Sequence, residues 1–284
     1  MAVRTARAVG CMVIALVIVV VLGVGGFLWL RSRGLTGPVP GQQRCVATAN
    51  DQSVTLDLEQ AHYTSIVVGL SVKRGLPPRA ASIAMATVYQ ETGIRNLNYG
   101  DRDSVGLFQQ RPSQGWGSRK DLLDPYYATD RFYDALVKID DWETGDITTV
   151  AQKVQNSSFP DAYRDHEADA RVLASALTGR SAAGFTCLER EGNPGKPSAL
   201  VSSIEKTFGN VSDERTQDKV VGIDARSGAL AWAYAAHALA NADRYGVVGI
   251  KVGGRQWQTE AIDLPTWTKL TPALEKTRVE ITVR

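Results

Sequence analysis

The sequence predicts an α+β protein made of an N-terminal transmembrane helix, an all-α domain and a small C-terminal α+β domain. Three features carry that expectation. An unbroken apolar run fills residues 9–30, helical patterning dominates residues 51–187, and alternating β-branched residues appear only beyond a Gly- and Pro-bearing stretch at 188–199. The length of 284 residues allows about two domains. A composition that is 44% hydrophobic and 22% charged excludes disordered, collagen-like and coiled-coil chains. The net charge of +2 is unevenly placed: the first 44 residues hold five arginines and no acid, which leaves 27 basic and 30 acidic side chains for the rest. Such a body has no electrostatic footprint for DNA or RNA, so no nucleic-acid partner is expected.

Residues 1–30 read as a short tail and a membrane anchor. The 22 residues from 9 to 30 carry no charged side chain, and Trp29 alone can hydrogen-bond strongly. As a helix they would reach about 33 Å, enough for a hydrocarbon core of about 30 Å. The run is longer than a typical signal-peptide core and ends in Phe27, Leu28 and Trp29, an interfacial finish. Gly23, Gly25 and Gly26 keep a cleaved signal open as the other reading. Arg4 and Arg7 face Arg31 and Arg33 across the run, so charge does not set its orientation. Cysteine usage bears on that question. Cys11 falls within the apolar run, whereas Cys45 and Cys187 frame the helical region and read as one disulfide of an exported chain. Two unrelated buried thiols are the alternative. The expected placement is single-pass in the cell membrane with the body extracytoplasmic.

Residues 31–50, polar and rich in Gly, Pro and Gln, read as a juxtamembrane spacer. Within 51–187 the pattern predicts helices over 58–74, from Pro77-Pro78 to about 91, over 126–142, 147–154 and 164–177, the last ending at Gly179. Residues 188–199 are the linker. In 200–284, Val220, Val221 and Ile223 predict a strand, 229–245 an Ala-rich helix, 247–252 and 255–258 a hairpin about Gly253-Gly254, and Val279, Ile281 and Val283 a last strand.

Several chemistries find no support. His62, His166 and His237 are far apart and stand in no metal-ligand spacing, so no metal or cofactor is expected. Neither a Gly-x-Ser-x-Gly elbow nor a phosphate-cradling loop is present. Carboxylate chemistry is left. Glu91 follows Ala84, Thr87 and Val88 by seven, four and three residues, which places it on their helix face, and Gly93 ends the helix just beyond. Burial there and the negative end of the helix both raise a carboxyl pKa. A carboxylic acid that keeps its proton near neutral pH can protonate a glycosidic oxygen. An ordinary glutamate on a frayed helix end is the other reading.

The residues that follow add to this. Gln90-Glu91-Thr92-Gly93 leads into Asn96-Leu97-Asn98 and then Asp101-Arg102-Asp103-Ser104-Val105-Gly106-Leu107-Phe108-Gln109-Gln110. This run resembles the lysozyme-like superfamily, especially goose-type lysozymes and bacterial soluble lytic transglycosylases, in which a helix-closing glutamate precedes a Gly-Leu-Met-Gln-type turn. Here the turn starts fifteen residues after Glu91; Asp101-Arg102 is similar to the goose-type Asp-Arg pair, and Ala162-Tyr163 matches part of the family's Ala-Tyr-Asn segment. The resemblance covers about residues 55–180. It implies a lysozyme-like fold for 51–187 and cleavage of β-1,4 linkages in peptidoglycan. Glu91 would be the general acid, Asp101 the base if water is the nucleophile, and Asp103 its neighbouring competitor. Gln109 and Gln110 would meet the N-acetyl groups of the glycan, while Trp116 and Tyr163 would stack on sugars or line the cleft.

One departure matters. Arg111-Pro112-Ser113-Gln114 supplies no second aspartate beyond the turn, as goose-type hydrolases have, whereas transglycosylases need only the glutamate. Hydrolysis and transglycosylation both stay open. A catalytically silent glycan-binding or scaffolding component of a cell-envelope assembly is the alternative function. The expected partners are peptidoglycan strands, the bilayer through residues 9–30, and envelope proteins through the C-terminal domain, where Asp224, His237 and Trp257 form no acid–base constellation.

Overall fold

In the computed structural model, β1 (Arg44–Ala49) turns through Asn50 and Asp51 into β2 (Gln52–Leu56). Both turn residues have positive φ, 50° and 61°, as a tight two-residue hairpin requires. The residues described are 41–156, 163–190, 192–211, 215–217 and 219–284. β3 (Phe185–Leu188) pairs with the other edge of β1, giving a three-stranded antiparallel sheet in the order β2-β1-β3. Cys45 lies opposite Cys187 in that register, and the two are disulfide-bonded across a sequence separation of 142. The expected disulfide is therefore present.

That sheet corrects the all-α expectation for residues 51–187, and β1 itself falls in the stretch read as spacer. The inward residues of β1 are Cys45, Ala47 and Ala49, small side chains that leave little alternation to read. The strand exists because β2 and β3 flank it, and β3 lies at the far end of the helical segment.

The membrane expectation is corrected as well. No helix among the described residues is long and apolar enough to cross a membrane. The run at 9–30 that carried the transmembrane element and the single-pass extracytoplasmic placement lies outside those residues. Its apolarity and length are necessary for a span and do not by themselves make one. The described chain is a mixture of helix and sheet.

The helices follow the punctuation of the sequence. α1 (Leu58–Lys73) opens on a capping box in which the Asp57 side chain accepts from the Gln60 N–H and the Gln60 side chain accepts from the Asp57 N–H. α2 (Pro78–Thr92) starts on Pro78 and stops at Gly93, whose φ of 61° closes the last turn. α3 (Arg119–Leu122) is short. α4 (Pro125–Leu136) ends six residues before the predicted 142, in turns that run on to Trp142. α5 (Ile147–Gln155) is capped by Asp146, and a 3-10 turn (Arg164–His166) leads into α6 (Glu167–Leu177). α2 lies along α6 and also packs on α1, α4 and α5.

α7 (Pro197–Phe208) begins inside the predicted linker. Beyond it come β4 (Arg215–Gln217), β5 (Val220–Asp224), α8 (Gly228–Ala240), α9 (Ala242–Tyr245), β6 (Val247–Val252), β7 (Arg255–Gln258), β8 (Thr268–Lys269) and β9 (Arg278–Val283). The strands form one antiparallel sheet in the order β4-β5-β9-β6-β7-β8, with α8 packed across β9 and β6. The predicted hairpin is β6–β7, in register from Gly249↔Gln258 to Val252↔Arg255.

Residues 43–284 make one compact unit. α1 is its central helix, buried at every residue from Thr64 to Ser71, with α2 and α4 against it on one side of the sequence and α7 and α8 from the other. A chain of polar groups joins the two segments. His62 Nδ1 and Asn241 Oδ1 are 2.5 Å apart, the Asn241 amide donates to Ser65 Oγ and the His237 carbonyl, and His237 Nε2 lies 2.9 Å from Ser203 Oγ.

Candidate active site

The last turn of α2 delivers Glu91. Ala84, Thr87 and Val88 on the same face are fully buried, which fixes the rotation of the helix and turns the carboxyl toward the body of the protein. Thr92 then ties the helix end to the motif that follows. Its Oγ1 lies 3.0 Å from the carbonyl oxygens of both Val88 and Leu107 and accepts from the Arg95 N–H.

The Gly-Leu-Phe-Gln turn is a small β-bridged structure: Leu97 pairs with Gly106, and Val105 with Gln110. Gly106 has a φ of 80°, and a Cβ there would come within 2.3 Å of the Leu122 carbonyl oxygen. Only glycine fits. Leu107 and Phe108 drive into the core, Phe108 stacking on Phe132 at a centroid distance of 4.6 Å. The turn thereby plugs the floor with its middle residues and sends its glutamines toward a cleft.

That cleft has a volume of about 250 Å³. Glu91 and Asp101 bring carboxyls to it, Gln109, Gln110, Gln114 and Gln155 bring amides, and Ser104, Arg111 and Trp116 complete the lining. Tyr163 Oη donates to Glu91 Oε1 at 2.8 Å, and Gln155 Nε2 donates to the same oxygen at 3.3 Å and to the Phe108 carbonyl at 2.6 Å. Burial raises the Glu91 pKa above the ordinary carboxyl value, while the hydrogen bonds from Tyr163 and Gln155 pull against that shift. Among the described residues its hydrogen-bonding partners, Tyr163 and Gln155, are neutral.

The predicted residues fall into three groups. Glu91, Asp101, Gln109, Gln110 and Trp116 share the cleft. Asp101 is 92% exposed, with Arg102 Nε at 3.9 Å. Gln109 spends its amide on the loop: Oε1 accepts from Ser104 Oγ, and Nε2 donates to the Tyr99 and Gly106 carbonyls. Gln110 is buried, donating from Nε2 to the Ala128 carbonyl, while its Oε1 has no partner among the described residues. Trp116 is half-buried, and its carbonyl accepts from Tyr127 Oη and Arg131 Nε.

Asp103 and Tyr163 have other tasks. The Asp103 carboxylate accepts from Arg111 Nε at 2.9 Å, the Ser113 N–H at 2.7 Å and Ser113 Oγ at 3.0 Å. The Ser113 N–H and the Arg111 guanidinium hold its pKa well below the usual carboxylate range. It is a clamp across the loop, already fully engaged. Tyr163 is 1% exposed and stands behind Glu91, outside the cleft lining, so it is placed to hold the carboxyl and not to stack on a sugar. Ala162, its neighbour in the matched motif, lies outside the described residues.

Gln155, Ser104, Arg111 and Gln114 were not foreseen as site residues. Gln155 had a sequence signal: it is the polar residue right after buried Val154 at the end of an amphipathic helix, just upstream of the motif segment. The others are polar loop residues with no local signature. Among the described residues, no group of three or more His, Cys, Asp or Glu side chains is placed to hold a metal ion.

Compared with known proteins, the chain matches no protein-family model and no curated protein.

Proposed function

We propose that this protein cleaves β-1,4-glycosidic bonds of peptidoglycan with Glu91 as the general acid. The observation that carries this reading is the Glu91 carboxyl itself: half-buried at the end of α2, facing a cleft, hydrogen-bonded by Tyr163 and Gln155, with its pKa raised by burial. A raised pKa keeps more of the carboxyl protonated, the form in which a general acid works. The amide-rich lining suits the hydroxyl and acetamido groups of N-acetylated sugars, which both donate and accept hydrogen bonds.

In the proposed reaction Glu91 protonates the glycosidic oxygen as the anomeric C–O bond breaks through an oxocarbenium-like transition state. The glutamate is left as a carboxylate. Two nucleophiles can complete the step. Water, deprotonated by Asp101, would give a reducing muramic end. The muramyl 6-hydroxyl, deprotonated by the Glu91 carboxylate, would give a 1,6-anhydro end. With Asp103 engaged by Arg111 and Ser113, the two-carboxylate route rests on Asp101 alone.

The test is mass spectrometry of peptidoglycan digested by the wild type and by Glu91→Gln. Anhydro ends from the wild type would assign transglycosylation, and reducing muramic ends hydrolysis; either should disappear in the variant. Glycan binding without cleavage by the wild type would replace this proposal with the silent binding module, and cleavage surviving in Glu91→Gln would remove Glu91 from the mechanism.

A further inference from the structure

A second cavity, of about 530 Å³, opens where the end of α1, the start of α2, the end of α6, the end of α7 and the start of α8 converge. Its volume lies in the range of small-molecule sites. Val72, Leu76, Phe208 and Leu230 give it an apolar floor, and Phe208 and Leu230 are buried within the fold. Two cations, Arg180 and Arg226, also line it, and among the described residues no acidic side chain does.

Among the described residues neither guanidinium forms an ion pair, and Asp224, two residues before Arg226, is bound to Arg278 at 2.9 Å. A concave apolar surface lined by two guanidiniums that form no ion pair among the described residues complements one kind of small molecule: a compact anion on an apolar tail. Guanidinium forks match the two oxygens of a carboxylate, and the floor offers contact for methylenes.

We propose that this cavity binds an apolar-tailed monocarboxylate, with the carboxylate on Arg180 and Arg226 and the tail over Val72, Leu76, Phe208 and Leu230. The site is separate from the Glu91 cleft, and the proposal does not depend on the chemistry assigned there.

The test is titration of the intact protein with acetate, hexanoate, octanoate and 1-octanol, followed by calorimetry and by NMR shifts of the Val72, Leu76 and Leu230 methyl groups. Octanoate should bind at least tenfold more tightly than octanol, because only the acid meets the arginines. Hexanoate to octanoate should tighten binding by roughly threefold to fourfold per methylene if the tail is fully buried. Affinity should fall as salt rises. The double variant Arg180→Gln/Arg226→Gln should lose the preference for octanoate over octanol and keep the wild-type melting temperature, both side chains being exposed. Leu76→Ala is the second variant and should flatten the chain-length dependence while leaving the acid preference. No octanoate binding, equal binding by wild type and double variant, or affinity independent of chain length would each overturn the assignment.

Discussion

Tyr163 Oη donates a 2.8 Å hydrogen bond to Glu91 Oε1, so the proposed general acid is itself held from behind by a neutral phenol. This bond favours the ionised carboxyl and restrains the rise in pKa that burial causes. Tyr163→Phe removes the restraint. The Glu91 pKa should rise further, and because a general acid works protonated, the alkaline limb of the pH–rate profile should move to higher pH. Activity on the acid side should drop by no more than about tenfold, the loss of one positioning contact. A limb that stays in place, measured on a soluble glycan substrate, would separate Tyr163 from the acid.

Glu91→Gln should lower cleavage by about 10²–10⁴-fold, the usual contribution of a positioned general acid. Stability should go the other way. A folded-state pKa above the unfolded value means that the folded chain holds this proton more tightly. The wild type therefore loses stability as pH rises from the ordinary carboxyl range through the raised value. The amide does not titrate. Melting curves should show the variant at least as stable as the wild type at neutral pH, with the difference shrinking toward acid.

Asp103→Asn tests the loop clamp. The pKa of Asp103 is lowered in the folded state, so its contribution is present above the ordinary carboxylate range and fades as pH falls. The amide would lose the pairing with Arg111 and Ser113, and two lining residues, Arg111 and Gln114, lie on the loop it holds. A misplaced cleft wall can cost up to about 10²-fold in kcat/KM. The alkaline limb set by Glu91 should stay where it is. A shifted limb would give Asp103 a role as a proton-transfer group.

Cys45→Ala/Cys187→Ala opens a closure of 142 residues. Chain-entropy arguments put the loss at about 5 kcal/mol at most. Urea denaturation of the variant against the oxidised wild type measures it directly, and the Glu91 cleft, far along the chain from both cysteines, should keep its pH profile.

What was legible in the sequence was local. α2 could be read to within a residue or two because its start is marked by Pro77-Pro78 and its end by Gly93, and Glu91 could be put on the inner face by counting back to Val88, Thr87 and Ala84. β1 could not, since its inward side chains are Cys45, Ala47 and Ala49 and one of its partner strands starts at Phe185. The membrane element was read from hydropathy alone, on residues that the described fold does not include. In the site, Asp103 looked like a catalytic base because a free carboxylate and a clamped one are identical in sequence. What distinguishes them is Arg111 and Ser113, eight and ten residues on, folding back onto it. The roles of Tyr163 and Gln155 arise only where α5 and the turn before α6 meet the end of α2.

Gly106 divides the cleft into what can vary and what cannot. Nineteen of the twenty amino acids would push a Cβ into the Leu122 carbonyl, so the outline of the wall tolerates no exchange at that position. Gln114, by contrast, reaches the same cleft from an exposed turn where other side chains are easily carried. Shape and chemistry of the wall are thus encoded at different positions. A lineage could retune which polar groups the cleft prefers, one side chain at a time, while the turn that shapes it passes unaltered from ancestor to descendant.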